Sequence, residues 1–335
     1  MNAPPEVAIR VREDRLLAFV ATCFERAGCD ASHAALIARL LVNNDLRGVR
    51  SHASRTAHGY CSGLADGALN PRPDVRVVLD TPAVTVLDGD GTLGYLPMVR
   101  ASEAAVAKAR QVGVGAGLVR HIGHYGSAGH YSRICADAGC VGWSVQGYRH
   151  EAEPKDPPRS AADSGNPPYS FALPAGQEPA IVVDAGCAFD SPFPSASFDE
   201  IARRFPSPFF KSMGLIATST LVGGALTGFL GPRGDEVERR WPGARMGGTV
   251  VAFDLQRLGC EAEFRAEADR YVRGIREGHT PIPGTDRAQL PGAIEEEKTR
   301  SYRREGIPYG EPEQAAARAL SERFGVPLPW AGSEG

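Results

Sequence analysis

Residues 43–55, NNDLRGVRSHASR, set a histidine beside a hydroxyl at Ser51-His52, with Arg47, Arg50 and Arg55 within a few positions. An imidazole titrates near neutral pH, so it can give or take a proton at an oxygen or nitrogen while hydride moves at the adjoining carbon. A guanidinium can hold a carboxylate through two parallel hydrogen bonds. These types at this spacing suit proton transfer on a small carboxylic acid. The plainer and commoner alternative is a helix that ends in a solvated basic turn, and the stretch alone does not decide between them.

Other chemistry-bearing residues lie further along. His121, His124 and His130 fall within ten residues of one glycine-rich stretch, HIGHYGSAGHYS. His121 and His124 belong to a turn and His130 to the following helix, and no cysteine or carboxylate at a helical offset completes a ligand set, so a polar contact by His124 to cofactor or substrate is favoured over zinc. Asp184 closes an apolar strand, where it is either a turn cap or a catalytic partner. Gly89-Asp90-Gly91-Thr92-Leu93-Gly94 fits the dinucleotide pattern G-x-G-x-x-G. However, Asp88 and Asp90 would repel a pyrophosphate, and the strand at 116–120 ends in Arg120-His121 with no acid for a ribose, so a plain turn is the preferred reading.

The elements that must position these residues follow from periodicity. Leu16, Leu17, Val20, Phe24 and Ala27 share a face of a helix over 13–27, and Asp30 caps a second helix that runs to about Leu46 and delivers the Ser51-His52 stretch. Strands are expected at 75–79, 83–87, 116–120, 141–145, 180–184 and 248–254, the fifth following another strand across an Ala175-Gly176 turn. Helices are expected over 98–112, to about 138, over 261–277 and over 312–324, with another after PIPGTDRAQLPG. Residues 149–168 read as a charged, proline-rich loop, and 213–226 as the most apolar helix, buried or at a dimer contact and too short and too rich in small and hydroxyl residues to span a membrane.

At 335 residues the chain can bury a large core. Lys+Arg 37 against Asp+Glu 40 gives a net charge of -3, which offers no general attraction for nucleic acid or an anionic membrane. Seven cysteines without a C-x-x-C pair read as reduced, mostly buried thiols, and the N-terminal stretch lacks a secretory pattern, so a cytoplasmic protein without a structural metal is expected.

Seven stretches in order resemble one family: NNDLRGVRSHASR with Tyr60 and GALNPRP; LDGDGTLGY; GVGAGLVRHIGHYGSAGHYS; SGNPPYSFALPAG with AIVVD; KSMGLIATSTLVGGALTG; VVAFD; and PGAIEEEKTRSYRREGIP. The chain is similar to the non-Rossmann malate/L-lactate dehydrogenases, the group that includes ureidoglycolate dehydrogenase, diketogulonate reductase and piperideine-carboxylate reductase. The resemblance implies an α/β fold of mixed sheets with flanking helices and a homodimer. It further implies NAD or NADP between domains, acting on a 2-oxo or 2-imino acid and its reduced counterpart. A helical part, 1–80, would pack with the C-terminal helices of 255–335 around a central cofactor and substrate domain, 81–254. By position, His52 resembles the family's acid/base, Ser51 its hydrogen-bonding neighbour and Asp184 the carboxylate paired with it. The residue types themselves make Arg47 and Arg55 the candidate carboxylate binders, and His124, Gly165, Asn166, Pro167 and Lys211 resemble the family's cofactor contacts.

The chain departs from that pattern at defined places. Ala53 follows Ser51-His52 where the family has glycine, Thr56 stands where it has arginine, and Arg55 comes one place early. The glycine-rich loop that would bring backbone amides to the cofactor reads Pro206-Ser207-Pro208-Phe209-Phe210-Lys211, the segment before it is short, and the Pro-x-Gly-Gly turn expected ahead of Gly165 is missing. Two functions therefore stand open on sequence: an NAD(P)-dependent oxidoreductase, or a descendant without cofactor that uses His52 and Asp184 for redox-neutral proton transfer or only binds a partner.

Overall fold

The computed structural model describes residues 4–149, 165–188, 198–283 and 285–331. The chain opens with β1 (Ile9–Val11), α1 (Glu13–Arg26), α2 (Ala31–Arg47) and α3 (Ala57–Ala65). Asp30 caps α2 through the His33 amide, and Gly48 ends it in the left-handed region, as the composition of those ends requires. There follow β2 (Arg76–Asp80), β3 (Val84–Asp88), α4 (Tyr95–Val112), β4 (Val114–Ile122), α5 (Gly129–Asp137), β5 (Cys140–Tyr148), β6 (Pro168–Leu173) and β7 (Ile181–Gly186). The remainder comprises α6 (Phe198–Arg204), α7 (Pro206–Gly223), α8 (Pro232–Arg240), β8 (Met246–Asp254), α9 (Glu261–Gly278), α10 (Ala293–Glu305), β9 (Ile307–Tyr309) and α11 (Glu311–Phe324).

Seven strands form one sheet in the order β2-β3-β4-β8-β5-β6-β7. The β3–β4 pair, joined by α4, is parallel and the other neighbours are antiparallel. A doubly wound nucleotide-binding sheet needs a parallel run, so this mixed sheet is not one. The Gly89–Gly94 stretch is correspondingly a tight turn: Asp90 and Gly91 have positive φ, and the Gly89 and Gly91 amides bond back to Arg120 and His121 carbonyls. The sheet begins at Arg76, just before the division expected at residue 80, and β1 pairs with β9, joining the start of the chain to its end.

Small residues let helices approach the sheet closely. A Cβ on Gly115 or Gly117 of β4 would stand 2.0 or 2.2 Å from a carbonyl oxygen of α4, and one on Gly142 of β5 would stand 2.4 Å from an α5 carbonyl. On the opposite face α7 docks against β5 where Gly223 meets Gly147. The rest of that face is only part covered: Trp143 and Phe171 stack with rings 6.0 Å apart, and Phe171 and Phe253 are each 41% exposed.

Two expectations change. Residues 206–210 are not a loop but the first turns of α7, because Pro206 sits at the helix start, where its fixed φ and missing amide cost nothing, and Phe209 finds a buried seat. The apolar helix accordingly starts seven residues before the expected 213, ends at Gly223 and buries one face only, leaving Phe210, Leu215 and Leu221 exposed. By length and apolarity alone the 22 residues from Pro206 to Thr227 now suffice to cross a bilayer. The short strands β1 and β9 and the helix α8 were not expected, being too short or too charged to carry a period. The loop expected at 149–168 lies largely outside the described residues.

Gly117→Ala places a methyl group against the Ala101 backbone, which cannot yield as a side chain can. The variant should lose about 3 kcal/mol of stability in urea unfolding.

Candidate active site

The last turn of α2 organises the Ser51-His52 segment. Gly48 turns the chain out of the helix, and two short 3-10 turns follow at 50–52 and 54–56. The Asn44 amide donates to the His52 carbonyl at 2.9 Å, and the Asp45 carboxylate accepts from the Ser54 amide at 3.0 Å. From the far end of the chain, Glu313 of α11 accepts two hydrogen bonds from Arg50 and lies 3.7 Å from Arg55. Tyr309 of β9 meets the Ser54 hydroxyl. The segment is thus held by polar groups at both sides. Burial pushes the Asp45 carboxyl up to about 7.

His52 is half-buried, with its Nδ1 2.9 Å from the Ser51 hydroxyl. Its ring stacks on that of His124, centroids 5.6 Å apart and 23° between planes. His124 Nδ1 accepts from the Gly126 amide and is 2.7 Å from the Tyr60 hydroxyl. An Nδ1 that accepts leaves the proton on Nε2, so His124 is neutral; burial, then the neighbouring His52, lower its pKa to about 4. Burial also lowers His52, while the charge of Asp184 opposes that and Arg55 adds to it.

Asp184 on β7 lies close enough to act on His52 by charge, but its hydrogen bonds come from the Ser127 hydroxyl and the Gly129 amide. Burial raises its pKa. The resemblance implied Asp184 as the carboxylate paired with the histidine; the hydrogen bond at the His52 ring is with Ser51, and Asp184 acts on it by charge. Arg47 lines a small cavity of about 90 Å³ with Asp184, Ser127, Asn44 and Arg133, whereas Arg55 is turned to Glu313.

The other two histidines diverge from His124. His121 is buried with positive φ and bonds Asp88 at 2.9 Å, and His130 accepts from the Asn44 amide at 3.2 Å. Among the described residues no three metal-ligating side chains gather. Gly165, with φ of 126°, leads into β6, and Asn166 accepts from the Ala188 amide, so the Gly165-Asn166-Pro167 turn clips the end of β7 two ladder positions beyond Asp184. Lys211 is exposed on α7. Asn44, Asp45, Ser127, Arg133 and Glu313 were missed from sequence; only Asn44 and Asp45, by standing in the same stretch as Ser51, carried any signal.

The sequence pattern of malate/L-lactate dehydrogenases matches residues 11–189, which hold Ser51, His52, His124 and Asp184. That match covers more than half of the chain. The chain belongs to the malate/L-lactate dehydrogenase family. It is 32% identical over 176 residues to a malate dehydrogenase of Pyrococcus horikoshii, an alignment of 52% of this chain and only 48% of that enzyme. With the NAD(+) ureidoglycolate dehydrogenase of Escherichia coli O157:H7 it shares 24% identity over 311 residues, 84% of this chain and 87% of the relative. The solved structure of the Pyrococcus horikoshii malate dehydrogenase superposes with a TM-score of 0.81 at 22% identity, covering 97% of this chain and 98% of that one, which shows that the malate/L-lactate dehydrogenase fold is shared.

A neutral, buried His124 has a consequence for this member of the family. Its folded pKa, near 4, lies below the unfolded value of 6.5, so only the unfolded chain takes up the proton between those values and stability falls as pH drops through that window. His124's share is on the order of 3 kcal/mol. Urea unfolding of His124→Gln between pH 7.5 and 4.5 should therefore show a shallower loss than the parent chain.

Proposed function

We propose that the protein is an NAD(P)-dependent oxidoreductase that interconverts a 2-oxo or 2-imino acid with its reduced 2-hydroxy or amino form, with His52 as the acid/base. The observation that carries this reading is the pair of stacked, burial-depressed imidazoles of His52 and His124 beside Asp184. The NAD(+) in the name of the Escherichia coli relative favours NAD as the cofactor.

The cofactor contacts fit at the nicotinamide end. His124 offers a neutral ring with Nε2–H, and Gly165 provides a turn free of a side chain, since a Cβ there would collide with the Tyr148 hydroxyl. They fit less well at 206–210, where amides that a loop would expose belong to α7. Bound NAD would supply the hydride acceptor during oxidation. His52 does the rest: with Nδ1–H donated to Ser51, its Nε2 lone pair takes the hydroxyl proton, and the Asp184 charge stabilises the resulting imidazolium. In the reverse direction the imidazolium returns the proton to the oxygen. Arg47 holds the carboxylate, and Arg55, braced by Glu313, lends positive charge to the pocket.

We propose a homodimer that covers the apolar sheet face around Trp143, Phe171 and Phe253. The grouping of 1–80 with 255–335 is supported by the β1–β9 pair and by Glu313 on Arg50. Seven free thiols favour a reducing, cytoplasmic setting.

Fluorescence titration with NADH and NADPH tests the redox reading: one of them should bind at micromolar to millimolar concentration, and binding of neither would return the redox-neutral alternative. His52→Gln should lower kcat for 2-hydroxy acid oxidation by about 100-fold or more. Because oxidation needs the neutral ring and burial lowers the His52 pKa, kcat/KM should rise with pH through one ionisation whose midpoint lies below that of a free histidine; Asp184→Asn should move that rise to lower pH. Light scattering should find two chains per particle, and Phe171→Asp should shift it toward one.

A further inference from the structure

The arginines near His52 differ in what they face. Arg50 and Arg55 are both directed at the buried carboxylate of Glu313, and the Thr56 hydroxyl is turned back onto the Ala53 carbonyl at 2.7 Å. Arg47 from the end of α2 and Arg133 from α5 line the 90 Å³ cavity instead. Among the described residues no carboxylate stands within ion-pair distance of either guanidinium. The acids in the same walls have other partners: Asp184 accepts from Ser127 and the Gly129 amide, and Glu295 accepts from the Gly292 amide at 2.9 Å.

Two half-buried guanidiniums in one cavity are unfavourable as they stand. Each loses hydration, and each repels the other; burial first, then Arg133, bring Arg47 down to about 10. Burial likewise lowers Arg133, which Glu295 and Asp184 only partly offset. An anion between the two forks would relieve both costs at once, whereas a neutral ligand would relieve neither. The cavity also borders the reaction centre, for Asn44 and Asp184 line it, the first donating to the His52 carbonyl and the second acting on the His52 ring by charge.

We propose that Arg47 and Arg133 together form the seat of the substrate carboxylate, so that Arg133 is a second binding arm brought from α5. This deepens the reading of the protein as an enzyme of 2-oxo and 2-hydroxy acids and rests on it for the identity of the anion. The carboxylate enters from the α2–α5 side, and the reacting carbon is presented to His52 from there. Arg55 and Thr56, which follow Ser51-His52 in the chain, do not touch it.

Calorimetric titration of the whole protein with oxalate at pH 7.5 tests the seat without turnover. The parent chain should bind oxalate in the millimolar range or tighter, and Arg133→Met and Arg47→Met should each weaken it about tenfold or more. Arg133→Lys, which keeps the charge but loses the fork, should fall between, with an unchanged thermal midpoint; it decides the matter should the methionine variant fail to fold. Arg110→Met, on α4, serves as the control for loss of an arginine elsewhere. No oxalate binding by the parent, or parental affinity in both Arg133 variants, overturns the proposal. NADH titration run in parallel separates the two claims: Arg133-dependent oxalate binding without NADH binding supports the seat and removes the redox reading.

Discussion

The placement of Ser51-His52 depends on one carboxylate that arrives 263 residues after Arg50. Glu313 is 2% exposed, takes Arg50 through two hydrogen bonds and draws Arg55 to the same side. A charge that deep is costly unless matched, and its removal would take from Arg50 and Arg55 the carboxylate they share. The 3-10 turns that carry Ser51 and His52 have few backbone bonds of their own, so their geometry comes from side chains around them: Glu313 and Tyr309 from the C-terminal part, Asn44 and Asp45 from α2. Local sequence puts the histidine after the helix, and distant sequence holds it still.

Burial is the second constraint. His52 and His124 share a wall that strips water from both rings, and that lowers both pKa values and keeps His124 neutral. A neutral stacking partner is what a proton-carrying imidazole can tolerate, since two imidazolium rings 5.6 Å apart would repel. Asp184 acts against burial for His52 alone, so the two rings are set apart in basicity although they are alike in type. The Gly126 amide, which can only donate, fixes the tautomer of His124, and the Ser51 hydroxyl orients the His52 ring.

What could be read from the sequence is uneven for physical reasons. Helices α1, α2, α4 and α9 and most of the strands show themselves by period and end signals, because burial of one face writes the period into the chain. The family resemblance gave the fold and named the candidate site residues. The site's supports were not legible: Glu313 looks like any helix acid, Arg133 like any surface arginine, and Ser127 like a loop residue, since each acquires its meaning from a partner far off in sequence. The start of α7 differs from expectation because Pro206-Ser207-Pro208-Phe209-Phe210, which stands where the family has a glycine-rich loop, builds the first turns of a helix. Arg55, near to Ser51 in the chain, is claimed by Glu313, whereas Arg47 lies on the cavity.

The β1–β9 pair also bears on how the protein comes into being. Ile9 through Val11 cannot pair until Ile307 through Tyr309 have been made. Contacts this far apart in sequence carry a large closure entropy and form late. The same late event brings Tyr309 to Ser54 and Glu313 to Arg50. The growing chain can build its sheet and bury its helices while the histidine is still loose, and only a chain made past Glu313 holds it in place.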